Sequence, residues 1–166
     1  LSLTVLAASA KQDLSPNEPL YLEVSATPKQ AYVQAQIIYT LRLFQRVSIA
    51  QASLTEPTAA AAIIERLGED SQYNTQVTGV RYTVTERKYA IFPQQSGRLE
   101  IAPLELTAQL VSGGARSPFG SIFDSQRSQT KRVFSKPLSL DVLPAPNDFK
   151  GQHWIAAQQL YIEQSW

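Results

Sequence analysis

The stretch 80–111 constrains this chain more than any other. VRYTVTERKYAIF (80–92) is dense in β-branched and aromatic residues, the types that suit a pleated, half-buried surface. PQQSG (93–97) puts proline early and glycine late, as a turn does. RLEIAPLELTAQLV (98–111) then returns. This order predicts a long β-hairpin. In the first arm the apolar phase changes from Val80, Tyr82, Val84 to Tyr89, Ile91; in the second it changes from Leu99, Ile101 to Leu104, Leu106, Leu110. A slip of one residue exchanges the faces of a strand. The switch points near 87 and 103 are equidistant from 95, which predicts a bulge or bend shared by both arms. Pro103 would withhold a ladder bond there, and the kinked halves would lie in different parts of a sandwich.

Strand signals recur elsewhere. Leu20, Leu22 and Val24 alternate with polar neighbours, as do Val33 to Leu43 with Ile38 as the exception, and Pro28 marks a turn between them. AAAAIIERL (59–67) reads two ways. Its Ala, Glu, Arg and Leu suit a helix, with SLTE (53–56) resembling a capping box. It reads equally as a strand ending at Gly68-Glu69-Asp70, and the strand is favoured because short isolated helices are marginal. Residues 112–130 are loop-like, and the chain resumes at Arg132-Val133-Phe134 and closes with a strand over 137–143. The fold class expected is all-β, an immunoglobulin-like antiparallel β-sandwich with a long kinked hairpin.

An internal echo suggests the domain plan. LSLTVLAAS (1–9) and LSLDVLPAP (138–146) share Leu, Ser, Leu, Val, Leu and Ala in register, as the closing strands of tandem repeats would. On that reading 1–9 closes a preceding immunoglobulin-like repeat and 10–17 is a linker. Residues 18–146 form one complete domain, and 147–166 carry a linker and the first strand of a following domain, where Trp154 and Trp166 would pack. The absence of any methionine, first residue included, is expected of a piece of a longer chain.

Composition narrows the chemistry. With 43% apolar residues the chain can build a core, and a net charge of +1 gives no overall pull toward nucleic acid. No cysteine means no disulfide, thiolate or cysteine-metal chemistry. One histidine, His153 in GQHW, lacks a second ligand or triad partner and reads as a surface or interdomain residue. Glu65, Glu69 and Asp70 lack the spacing of a calcium loop and read as a polar turn. Glu86-Arg87-Lys88 reads as structural charge: either alternating solvated charges on a sheet face, or an Arg87 anchor paired with Glu86 or an acid across the strand, with Glu100 and Glu105 on the opposing arm as partners for Arg87 or Lys88. Tyr39, Tyr82, Tyr89 and Phe92 read as core aromatics. No catalytic residue, cofactor site or metal site is expected, and no enzyme activity.

Charge segregates in one place. Residues 112–136 hold Arg116, Arg127, Lys131, Arg132 and Lys136 against Asp124, so this stretch carries +4 and the rest of the chain −3. Phe119, Ile122 and Phe123 lie in the same stretch. The partner-binding residues expected are Arg116, Phe119, Phe123, Arg127, Lys131 and Arg132, meeting an acidic protein surface or anionic head groups. The patch is short and matches no nucleic-acid reader.

The run YTVTERKYAIFPQQSGRLEIAPLEL (82–106) resembles the signature hairpin of the BatD family, the bacterial aerotolerance proteins of the Bat operon. SATPKQAYVQAQIIYTLRLF (25–44), SPFGSIF (117–123), KPLSLDVLPAP (136–146) and WIAAQQLYIEQSW (154–166) continue the likeness over most of the chain. The Gln-rich, weakly charged surface departs from it. The resemblance implies tandem immunoglobulin-like domains in the periplasm, tethered to the inner membrane through segments missing from this chain. It also implies a non-catalytic scaffold in envelope stress or aerotolerance, with von Willebrand A-type and TPR proteins of the same operon as partners. A carbohydrate-binding sandwich is the other expectation, since exposed Tyr and Gln are the side chains such a face uses.

Overall fold

The computed structural model of the protein describes residues 18–111, 128–151 and 154. Ten strands follow one another: β1 (Leu20–Thr27), β2 (Gln30–Tyr32), β3 (Ile37–Gln45), β4 (Ile49–Leu54), β5 (Ala62–Val77), β6 (Val80–Pro93), β7 (Gly97–Ile101), β8 (Glu105–Val111), β9 (Ser128–Phe134) and β10 (Leu138–Leu143). They form a four-stranded sheet in the order β1-β3-β6-β5 and two three-stranded sheets, β2-β10-β7 and β4-β8-β9. The all-β expectation holds. The pairing is antiparallel except between β2 and β10, which run parallel. β1 reaches this arrangement by leaving the four-stranded sheet at Thr27-Pro28, after which β2 joins β10 on the other side.

The expected hairpin of 80–92 with 98–111 does not form. β6 pairs with β3 and β5, β7 pairs with β10, and β8 pairs with β4 and β9. At 94–96 the chain crosses from one sheet to another. A Pro-early, Gly-late turn serves a crossing as well as a hairpin, and periodicity does not reveal which edge of a strand finds which neighbour. The hydrogen-bonded hairpin is instead β5–β6, closed by Thr78 and Gly79 at φ 49° and 82°. Two successive residues with positive φ match the twist of the flanking strands, the reason Gly is favoured there.

The phase switches have separate causes. β6 carries no bulge against β3: its register is unbroken from Gln45↔Thr83 to Ile37↔Ile91. Its apolar phase changes because the sheet is apolar on both faces. Tyr89 and Ile91 enter the main core, whereas Tyr82 and Val84 point to the opposite face and pack with Phe44 and Tyr21. The bulge lies in β5, between Leu67 and Ser71. The strand expected to stop at Gly68-Glu69-Asp70 runs through that bulge to Val77, so these residues are not a terminal turn. The second switch is a true break. β7 and β8 separate at Ala102-Pro103, and their halves do lie in different sheets. The partner of that break is the gap between β9 and β10. There the Ser135 backbone N–H donates to the Leu104 carbonyl (2.9 Å), and the Leu104 N–H donates to Ser135 Oγ (2.9 Å).

All three sheets share one core. Leu22, Tyr39 and Ile91 from the four-stranded sheet meet Ile101 and Leu140 from the second and Leu106 from the third, each almost fully buried. β4 was not visible in the sequence. IAQASL is short and weakly alternating, and SLTE belongs to its end: Thr55 Oγ1 accepts from the Glu105 N–H (2.9 Å) instead of capping a helix.

Candidate functional site

Of the six residues expected to bind a partner, Arg116, Phe119, Phe123 and Arg127 lie outside the described residues, as does His153. Lys131 and Arg132 sit on β9, one of the two edge strands of its sheet. Both are ion-paired, Lys131 to Glu18 (2.6 Å) and Arg132 to Glu105 (3.6 Å). Antiparallel pairing sets Val111 beside Ser128 at one end of the β8–β9 ladder. Phe134, at the far end of β9, is 60% exposed.

Among the described residues, the densest charge cluster forms elsewhere, at the β5 bulge. The extra residues of the bulge bring Asp70 opposite Arg87 of β6. Arg87 Nε and Nη2 donate to the two Asp70 carboxylate oxygens, both at 2.8 Å. The planar fork of a guanidinium suits this bidentate contact. Arg66 Nη2 adds a bond to Asp70 at 2.9 Å, and Arg87 Nη1 reaches Glu56 Oε1 at 3.3 Å. The Tyr89 hydroxyl donates to the other oxygen of Glu56. The hydrogen bond from Arg87 holds the Asp70 carboxyl below its ordinary value, with Arg66 adding to it. The same bond to Asp70 raises Arg87 further. Burial, then the hydrogen bond to Glu56, raises the Tyr89 phenol.

Arg87 thus pairs with an acid across the strand, as expected, but the acid is Asp70 and not Glu86, Glu100 or Glu105. Glu86 bonds Arg42 (2.7 Å) and Lys88 (3.2 Å), Glu100 meets Arg98 (3.3 Å), and Glu105 meets Arg132. Residues 86–88 and 98–106 are not cross-strand neighbours, because β6 and β7 belong to different sheets. Glu86 is half-hidden in its sheet; burial opposes its charge, but the bonds from Arg42 and Lys88 outweigh that and lower its carboxyl. The signal for the Asp70 pair was present in the sequence as Gly68 (φ 64°) beside two acids, the mark of a bulge as much as of a turn.

Asp70 and Arg87 also form one wall of a cleft of about 300 Å³, whose other walls include Leu41, Leu43, Leu54 and Leu106. A larger hollow, about 780 Å³, lies at the Ile101–Leu138 end of the β7–β10 pair beside Ala59 and Pro103. Arg98 lines it and is tied to Ser139 (2.7 Å). Trp154, expected to open a following domain, is seated on this one: its indole N–H donates to the Val33 carbonyl (3.1 Å) and its ring meets Tyr32 and Phe149 edge-on. Among the described residues no group of three or more His, Cys, Asp or Glu is placed to hold a metal ion, and no helix is long and apolar enough to cross a membrane. Compared with models of protein families and with curated proteins, the chain matches none.

Proposed function

We propose that this chain is a non-catalytic, immunoglobulin-like module of a membrane-anchored periplasmic protein of the BatD type, serving as a protein-contact scaffold in envelope stress or aerotolerance. The observation that carries the reading is strand order. Immunoglobulin sandwiches place strands A, B, E and D in one sheet and C, F and G in the other. In chain order, β1, β3, β5 and β6 take the places of A, B, D and E, and their sheet runs A-B-E-D. β4 takes the place of C, β7 with β8 that of F, and β9 with β10 that of G. Sheets β4-β8-β9 and β2-β10-β7 are then two halves of one C-F-G layer, divided where Pro103 and Pro137 interrupt both strands. The sequence resemblance over 82–106 supports the family, and from the family come the periplasmic location and the operon partners.

The stretch 112–130, expected to be loop-like and in fact part of β9 from Ser128 on, is the proposed contact surface together with Lys131 and Arg132. The test is affinity recovery of envelope proteins by the chain and by a variant with Arg116 and Arg127 changed to Ser and Phe119 and Phe123 to Ala. β9 itself is left intact, since it belongs to the fold. Recovery of von Willebrand A-type or TPR proteins by the parent alone is the expected result; equal recovery by both removes the loop from the mechanism.

One observation favours the carbohydrate reading. Tyr32 and Phe149 are 41% and 38% exposed and flank Trp154, and such a cluster of rings is what a sugar face stacks on. Titration calorimetry with peptidoglycan fragments decides it, and absence of heat rejects it.

A further inference from the structure

Among the described residues, nothing closes the side of the fold between β4 and β5. β4 is the edge of its sheet and β5 the edge of the four-stranded sheet. Between them lies the cleft of about 300 Å³ floored by Leu41 and Leu106, at the small end of ligand pockets (~300–1,000 Å³). Ala52 and Leu54 pair with Ala108 and Leu106, which are fully buried, so they point to the inner side. Ala52 is nevertheless exposed. An inward residue in contact with solvent marks a core left unclosed at that point.

Edge strands are normally guarded by charge, proline or shortness. β2 has three residues, β7 carries Arg98 and Glu100, and β9 carries Lys131 and Arg132. β4, IAQASL, has neither charge nor proline, and its one irregularity lies between Ile49 and Gln51, ahead of the regular run 51–54. Its backbone can therefore take up another strand, the mode of recognition in which main-chain bonds give affinity and alternate side-chain pockets give specificity. The rim adds a sign. Both guanidinium groups there are engaged by Asp70; Glu56, beside Arg87, takes one bond from Arg87 and one from Tyr89 and still leaves its side chain 61% exposed.

We propose that this lateral cleft receives an extended strand from a partner protein. One aliphatic side chain of that strand enters between Leu43 and Leu54, and a Lys or Arg near it meets Glu56. The proposal rests on the reading of the chain as a protein-contact module and moves the contact from the loop to the sheet edge.

The probe is a phage-displayed library of linear dodecapeptides selected against the 166-residue chain. Enriched peptides should alternate an aliphatic residue with Lys or Arg, and should slow amide exchange over 50–54. Ala52→Phe fills the cleft from within; it should weaken the selected peptides at least about tenfold while leaving the melting temperature equal or higher. Glu56→Lys should weaken them several-fold and favour Glu in place of the cation. No enrichment over a scrambled library, binding untouched by Ala52→Phe, or protection confined to other strands would each overturn the proposal. So would concentration-dependent self-association lost in Ala52→Phe, which would assign the cleft to a second copy. If the loop variant still loses envelope partners while Ala52→Phe does not, this inference fails and the scaffold reading stands.

Discussion

At the scale of single residues, two tyrosines in one cluster test opposite sides of the same rule. Tyr82 donates its hydroxyl to the Glu18 carbonyl (2.9 Å), whereas the buried Tyr21 hydroxyl finds no partner among the described residues. Tyr21 is stacked on Phe44 at 4.6 Å, and burial pushes its phenol up to about 12. A buried polar group left unpaired costs free energy, and a paired one contributes about 0.5–1.5 kcal/mol. Tyr82→Phe should therefore lose about 1 kcal/mol, and Tyr21→Phe should be neutral or stabilising, both read by urea denaturation. Arg87 gives the second test. Arg87→Met removes the bidentate bond to Asp70 and should cost about 1–3 kcal/mol. Asp70 and Glu86 are both lowered from their ordinary values of 3.8 and 4.5. Their stabilisation is thus complete at neutral pH and drains away as pH falls below about 4.5 and through the lower folded values. In Arg87→Met the Asp70 part of that acid loss should shrink, which pH-dependent melting measures.

At the scale of elements, the β5–β6 hairpin depends on its two-residue turn. Gly79 has φ 82° and an added Cβ meets nothing within 4 Å, so the only penalty of a side chain there is conformational. Gly79→Val should cost about 1–2 kcal/mol. Amide exchange should show the loss first at the hairpin tip, residues 75–82, where β3 no longer supports β6. The strands legible in the sequence were those buried on one face: Leu20, Leu22 and Val24 alternate as a half-buried strand must, and so do Leu138, Leu140 and Val142. β6 misled because it is buried on both faces at different levels, and a two-sided strand has no single phase. β5 misled because, past its bulge, it is an exposed edge with few apolar residues to count.

At the scale of the whole molecule, the three sheets stand or fall together because they share one core. Leu140 is 3% exposed and β10 holds both β2 and β7. Leu140→Ala should cost about 2–5 kcal/mol. Circular dichroism and Trp fluorescence should then report one coincident transition. Two separated transitions would mean that the sheets are independent units. The candidate site was half legible at this scale. Arg87 stood out as a charge in a strand, and the basic stretch 112–136 stood out by composition. The partner of Arg87, the uncharged edge of β4 and the cleft between β4 and β5 arise only from residues far apart in the chain.

The sequence by itself determined that this chain makes strands, where most of them lie, and that a proline at 103 breaks one of them. Those facts are local: period two, β-branched side chains and a missing N–H act within a few residues. Which strand lies beside which was decided only in three dimensions. The pairing of a strand edge is set by what the opposite face must bury, and that sum runs over the entire core. The same reason explains the chemistry. Asp70 meets Arg87 because a bulge and a sheet order put them together, and no spacing along the chain encodes that contact.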